Sequence, residues 1–220
     1  MNSHPATPPK NLPKTATQAF TVFFQHRSPQ ILAIFVLLAA AFRLGVGDFG
    51  GWDAATALLV LLGWPINEWL IHTQILHHRP RDILGLRWDY RIAQDHRQHH
   101  QDPWNLHHVF ISLHVYVWAV PLLLAVALGL GWLFQPAVGA TFLLTYAVLA
   151  LHYEFVHYLA HIQWVPHAYY AGRVREHRLH HFRHERRWWG VSTGWGDVLL
   201  GTAPDPATVE KSGRTAQIVP

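Results

Sequence analysis

The sequence predicts an all-α integral membrane protein: a bundle of about four transmembrane helices, arranged as two hairpins, with a histidine-rich helical cap. Three observations carry this reading. Half of the 220 residues are hydrophobic and only 14 % are charged, well under the quarter usual in soluble proteins. Four apolar stretches approach the length of a spanning helix, about 17–25 residues. Ten of the nineteen histidines fall into four clusters, each at or just beyond the end of an apolar stretch.

Residues 1–30 read as an N-terminal tail and interfacial segment. Met1 to Thr17 is rich in proline, threonine and asparagine, and Phe20 to Phe24 makes an amphipathic approach to the membrane. No cleavable signal is expected, because the first apolar run starts only near Ile31. The membrane domain is expected over 31–202. Its first segment, Ile31 to Gly47, is broken only by Arg43, and a glycine-rich turn (Gly47 to Asp53) leads to the second, Ala54 to Ile71. Val109 to Phe134 and Val138 to His161 form the third and fourth, joined by Gln135-Pro136. The first two are short, which suits tilted or partly inserted helices. Residues 203–220, polar and carrying Pro204, Pro206 and Gly213, are expected to be disordered.

Charge sets the orientation. Lys10, Lys14 and Arg27 precede the first segment, Arg79, Arg81, Arg87, Arg91 and Arg97 lie between the second and third, and Arg173, Arg175, Arg178, Arg183, Arg186 and Arg187 follow the fourth. Only Arg43 sits near the opposite ends of the hairpins. The positive-inside rule then places both termini and every histidine cluster in the cytoplasm. The short chain and the absence of a dilysine-type ending point to a bacterial inner membrane rather than the endoplasmic reticulum. No basic stripe on polar surface appears, so nucleic acid is not an expected partner. The arginines adjoin membrane-length apolar runs, which suits lipid headgroups.

The clusters are His72-x4-His77 with His78 adjacent, His96-x2-His99-His100, His157-x3-His161, and His177-x2-His180-His181. Neutral imidazole is the commonest metal ligand, and an ion takes about four to six donors, so ten imidazoles suggest a dimetal site. Each triplet has the i, i+3, i+4 relation and can offer three rings to one small volume. His157 and His161 share a face. His72 and His77 would stand roughly 140° apart on a straight α-helix. They can reach one site only if the helix distorts, which Pro80 downstream makes plausible, and His78 could replace His77. Glu68 and Glu154 each lie one turn before a histidine, where they could orient an imidazole or remain buried acids. His107, His108, His114, His152 and His184 are poorer candidates.

With no cysteine, any metal must be held by nitrogen and oxygen donors, which excludes the usual thiolate-rich structural zinc site. Imidazole accepts iron, copper and zinc. Two redox-active ions at a membrane face suit O2-dependent attack on the C–H bonds of a lipid, chemistry beyond any acid–base pair. Iron is the expected metal, with zinc a possible substitute.

The same clusters, with Glu68-Trp-Leu-Ile-His72, His99-His100-Gln-Asp-Pro103-Trp, His157-Tyr-Leu-Ala-His161, Arg175-Glu-His177-Arg-Leu-His180-His181-Phe-Arg-His184, Gly190-Val-Ser-Thr193, Asp197 and Gly201-Thr202, resemble the fatty acid hydroxylase/sterol desaturase superfamily of membrane di-iron enzymes. The resemblance runs from about Glu68 to Thr202. It implies a four-helix membrane bundle with a cytoplasmic cap. It also implies His72, His77, His96, His99, His100, His157, His161, His177, His180 and His181 as ligands of two irons, with no catalytic side chain beyond them, and O2 as cosubstrate. Glu68, Glu154 and Asp197 are the candidate orienting carboxylates. Gly190-Val-Ser-Thr most resembles fatty acid 2-hydroxylases, so a fatty acyl chain is the expected substrate. The pattern departs from the family at Trp195-Gly-Asp197, where the family often has tryptophan directly before the aspartate. There is no room for a fused cytochrome b5 domain, so electrons are expected from a separate cytochrome b5 or ferredoxin-type donor.

A desaturase, or a sterol or carotenoid hydroxylase, would use the same centre. A membrane metal transporter or sensor is the non-enzymatic alternative, although transporter sites usually lie near the bilayer midplane. A haem protein would need facing histidines within the helices, for which only His114 and His152 qualify.

Overall fold

The computed structural model describes residues 8–212. Helix α1 (Ala16–Gln25) is followed at once by α2 (Arg27–Val46). Helix α3 (Gly51–Leu70) runs on into a π-helical turn, Ile71–Leu76. A hairpin of β1 (Arg81–Ile83) and β2 (Leu86–Trp88) comes next, and then α4 (Arg91–Gln101) and the short α5 (Leu106–Val109). The long α6 (Leu113–Leu133) and α7 (Pro136–Ala160) follow, and α8 (Ala168–Phe182) and α9 (Trp195–Leu200) complete the order.

Among the described residues, four segments are long and apolar enough to cross a membrane: Arg27–Val46, Gly51–Leu76, Leu106–Leu133 and Pro136–Ala160. Each overlaps one of the four segments expected from hydropathy, starting two to four residues earlier. The first starts earlier than its apolar run because Ser28 and Pro29 occupy its opening turn, where proline's missing N–H costs no helical bond.

The described residues form two compact units, one of 8–23, Pro65–Phe110 and 155–212, the other of Phe24–Trp64 and Ile111–Glu154. In the second unit leucine and valine point outward: Leu37, Leu44, Leu59, Val117 and Leu128 are all largely exposed, as lipid-facing positions require. Its interior is small-sided, built on Ala39, Ala127 and Leu143 with Phe35 and Leu123 against them. A methyl at Gly139 would sit 2.2 Å from the Ala127 carbonyl. Glycine there permits the close crossing of α6 and α7 common in membrane helix pairs.

Arg43 is buried in that unit. Arg43 on α2 pairs with Asp53 at the start of α3 at 2.5 Å and donates to Thr141 on α7 at 2.7 Å and to the Gly47 carbonyl at 2.5 Å. Thr141 also donates to Asp53, and the Phe49 ring covers the guanidinium at 4.1 Å. The arginine thus ties the first helical hairpin to α7, with its five donors largely matched.

In the first unit an aromatic cluster of Phe20, Phe23, Phe110, Phe155 and Tyr158 packs α1 onto the end of α7, and the Tyr158 hydroxyl donates to the Ala19 carbonyl at 3.1 Å. The segment expected to be a disordered tail has described residues 203–212. They include a 3-10 turn, Pro206–Thr208, capped by Asp205. Arg183 donates to the Val209 carbonyl, and the Ser212 amide to the Arg183 carbonyl, each at 2.8 Å. Residues 213–220 of that stretch, and 1–7 of the expected N-terminal tail, lie outside the described residues. The β1–β2 hairpin is exposed along its whole length. Its turn puts Leu84 at φ 53° and Gly85 at φ 77°, a left-handed backbone disfavoured for leucine by about 1–2 kcal/mol.

Replacing Arg43 by leucine leaves Asp53 without its cation. The expected loss is about 3–5 kcal/mol, read as a lower midpoint of unfolding in detergent. The double replacement Arg43→Leu, Asp53→Leu recovers part of it.

Candidate metal centre

Ten histidines converge in two groups within the first unit. His72, His77, His96, His100 and His180 form one; His99, His157, His161, His177 and His181 form the other, and in each the facing nitrogens lie within 4.8 Å of one another. All are buried except His77, which is partly so.

The π-turn explains how residues five apart share a site. The His77 amide bonds the His72 carbonyl at 3.0 Å, an i→i+5 bond that underwinds the helix and brings His77 round towards the side of His72. His77, not His78, is the one that joins. The His78 ring instead lies 4.3 Å from the Tyr90 ring.

The triplets do not act as units. On α4, His96 and His100 enter the first group and His99 the second; on α8, His177 and His181 enter the second and His180 the first. The expectation that each triplet serves one small volume is corrected here, for a reason set by helix geometry. Positions i and i+4 project within about 40° of each other, whereas i+3 falls about 60° to the other side. Each helix therefore straddles the two groups. His157 and His161 on α7 are i, i+4, and both enter the second group.

The tautomers of His72 and His180 are fixed by backbone. His72 Nδ1 lies 2.5 Å from the Trp189 carbonyl and His180 Nδ1 2.9 Å from the Arg187 carbonyl. A carbonyl only accepts, so each Nδ1 carries the proton and each Nε2 presents a lone pair. Those lone pairs face other imidazoles: Nε2 to Nε2 distances run from 3.0 to 3.3 Å within the groups. With an imidazole–metal bond of about 2.1 Å, such pairs subtend about 90–105° at a shared ion. The donor set fits one metal ion per group, with five neutral nitrogens each and neither thiolate nor carboxylate.

Tryptophans wall both groups. The Trp189 ring sits 4.7 Å from His77 and 5.2 Å from His180, and Trp104 lies 6.0 Å from His161. In this dry setting burial, first, and neighbouring imidazoles, second, push His77, His96, His100 and His181 well below the usual histidine pKa. His99, His161, His177 and His180 move the same way, again chiefly through burial. Their lone pairs are free at neutral pH.

The three candidate carboxylates have different partners. Glu68 accepts from the Val191 amide, the Ser192 amide at 2.8 Å and the Ser192 hydroxyl at 2.6 Å. Asp197 accepts from the Trp189 amide at 2.9 Å, the Gly190 amide at 2.6 Å and the Thr202 hydroxyl at 2.5 Å. Both clamp the turn whose Trp189 carbonyl holds His72, so they bear on the rings through backbone. Gly190 is required inside that clamp, since a methyl there would lie 2.0 Å from the Thr193 carbonyl. Glu154 belongs to the other unit, where it accepts from the Ser28 hydroxyl and the Ile111 amide. Ser28 in turn lies 2.7 Å from the Tyr116 hydroxyl. His107, His108, His114, His152 and His184 join neither group.

Sequence reasoning missed the carbonyls of Trp189 and Arg187, which carry no side-chain signature. It also missed Arg178, which donates to the Ala160 and Ile162 carbonyls at 2.8 and 2.7 Å and holds the end of α7 beside His161.

Two outcomes follow from this geometry. Asp197→Asn weakens metal binding about 10–100-fold, with the larger effect on the ion of the His72 group, measured by competition with a chelator. The histidines bind protons less readily folded than unfolded, so their contribution to stability is present above the unfolded value of about 6.5 and lost as pH falls below it. Metal content followed from pH 7.5 to 5 (about a unit to either side of 6.5) drops steeply below that value.

A family model described as fatty acid hydroxylase matches residues 57–202, a stretch that contains all ten histidines together with Glu68 and Asp197. No curated protein and no solved structure matches the chain. The matched stretch covers most of the sequence and the whole of both groups, and the chain belongs to the fatty acid hydroxylase family.

Proposed function

We propose that this protein is an O2-dependent membrane oxygenase that hydroxylates a C–H bond of a lipid, with a fatty acyl chain as substrate and two irons as cofactor. The observation that carries the reading is the pair of five-imidazole groups in a chain with four membrane-length helices. Family membership supports a reaction of the hydroxylase or desaturase type. His72, His77, His96, His100 and His180 would hold one iron, and His99, His157, His161, His177 and His181 the other. Bound iron supplies the redox chemistry that an unactivated C–H bond demands. Insertion of one oxygen atom consumes two electrons and two protons and releases water. Those electrons come from a separate donor of cytochrome b5 or ferredoxin type.

The chain's own contribution is positional. Burial keeps the imidazoles outside the membrane-length segments neutral, and the Trp189 and Arg187 carbonyls hold His72 and His180 in the ligating tautomer. The tryptophan rings exclude bulk water, which protects reactive oxygen chemistry from quenching. Glu68 and Asp197 fix the turn that carries Trp189, so ring placement does not depend on a free loop. The arginines that flank the spanning segments support a cytoplasmic site, facing the donor, in a bacterial inner membrane.

The test pairs elemental analysis of chelator-free protein with lipid extraction from expressing cells grown under labelled O2. Two irons per chain and a lipid heavier by one labelled oxygen are the expected results. Loss of two hydrogens without oxygen gain reassigns the enzyme as a desaturase. Unchanged lipids with one metal or none overturn the reading in favour of a transporter or sensor. Protein loaded with zinc in place of iron forms no product. His99→Ala lowers metal content by about one ion per chain and abolishes product, while His184→Ala leaves both within about twofold, because its ring joins neither group.

A further inference from the structure

The β1–β2 hairpin takes no part in the metal centre, and its composition is hard to reconcile with water. Arg81 pairs with Trp88, Asp82 with Arg87 and Ile83 with Leu86. Side chains alternate along a strand, and cross-strand partners share a face. Arg81, Ile83, Leu86 and Trp88 therefore lie on one face, Asp82 and Arg87 on the other. Ile83, Leu86 and Trp88 are 48 %, 65 % and 51 % exposed, and Leu84 at the tip is 99 % exposed. The turn is of the two-residue kind that asparagine–glycine normally fills, yet its first residue is leucine at φ 53°. Leucine is disfavoured there twice over, by its backbone and by its exposure.

The hairpin's base, by contrast, is fixed. Arg97 of α4 donates to both Asp89 oxygens at 2.8 and 2.6 Å and to the His78 carbonyl at 3.2 Å. That clamp gathers both ends of the hairpin onto the helix that carries His96, His99 and His100. Four residues, and so five Cα-to-Cα steps, connect Leu76, the end of the second membrane-length segment, to Arg81. They reach at most about 17 Å, so the hairpin stays close to that end of the span.

Charge selects the occupant. Arg81 shares the apolar face, Arg87 lies on the other, and Arg79 and Arg91 flank the hairpin along the chain. Of the acids nearby, Asp82 stands opposite Arg87 and Asp89 is held by Arg97. A second copy would bring the same arginines and repel. An acidic protein would satisfy the arginines and leave the leucine tip in water. An anionic lipid surface meets both demands, with phosphates for the arginines and acyl chains for the tip, and Trp88 and Tyr90 suit the headgroup level between.

We propose that the β1–β2 hairpin is a lipid-inserting element: Leu84, Ile83, Leu86 and Trp88 enter the headgroup–acyl boundary of an anionic bilayer surface, and the flanking arginines bind its phosphates. This contact is additional to the four membrane-length helices and independent of the reaction catalysed.

The chain has no cysteine, so Leu84→Cys carries a single nitroxide label, and Asp82→Cys on the opposite face serves as comparison. Both positions are exposed, and neither substitution disturbs packing. The labelled full chain is placed in nanodiscs of mixed phosphatidylcholine and phosphatidylglycerol, and collisions with O2 and with a water-soluble nickel chelate are measured. At position 84 the ratio of O2 to nickel collisions is expected to be several-fold higher than at 82. Equal and high nickel access at both positions overturns the proposal. Strong dipolar broadening between labels also overturns it, in favour of self-association. In discs of pure phosphatidylcholine the ratio at 84 falls; an unchanged ratio overturns the role given to the arginines.

Discussion

Imidazole nitrogens face one another across 3.0–3.3 Å, where lone pairs turned inward repel, and the rest of this structure is organised around that arrangement. Protonating the rings would relieve the repulsion only by placing several positive charges in a buried volume, which low polarity forbids. A cation at each focus resolves both difficulties, since it turns opposed lone pairs into shared donors. The fold's task is then to hold the rings in a conformation they would not choose alone. Metal binding in such a case is inseparable from folding energy, because the unfolded chain presents no formed site.

Different devices hold different rings. The π-turn after α3 brings His77 round towards the side of His72. The turn from Trp189 to Ser192 is gripped from two directions, by Glu68 on α3 and by Asp197 on α9, so a carbonyl oxygen becomes a rigid orienting group. Arg178 fastens the end of α7, where His161 stands. Carboxylates thus serve the site at one remove: they fix backbone, and backbone fixes imidazole. No charged side chain sits among the ten donors.

Much of this was legible from sequence, and the reasons for the exceptions are physical. The four membrane-length helices follow from hydropathy and length, because lipid leaves few alternatives for a long apolar segment. The ten histidines follow from spacing. Their partition did not, because the i, i+3, i+4 pattern is compatible both with one focus and with a helix lying between two. The spacing of His72 and His77 gave notice of a distorted helix without specifying a π-turn. The partners of Glu154 could not be foreseen, since Ser28 lies 126 residues away and serine has no signature that marks it for such a role. The placement of residues 203–212 likewise depends on backbone bonds to Arg183, invisible in a polar, proline-bearing segment.

The division of the triplets links the two groups mechanically. Helix α4 lends two rings to one focus and one to the other, and α8 does the reverse. Neither focus can be completed without fixing both helices. A first ion at either focus would therefore pay the ordering entropy of α4 and α8 for both sites. A second would meet a nearly finished site and bind more tightly for that reason, with no direct contact between the two ions required. On the proposed function, such a protein would pass from empty to doubly loaded with little of the singly loaded form in between.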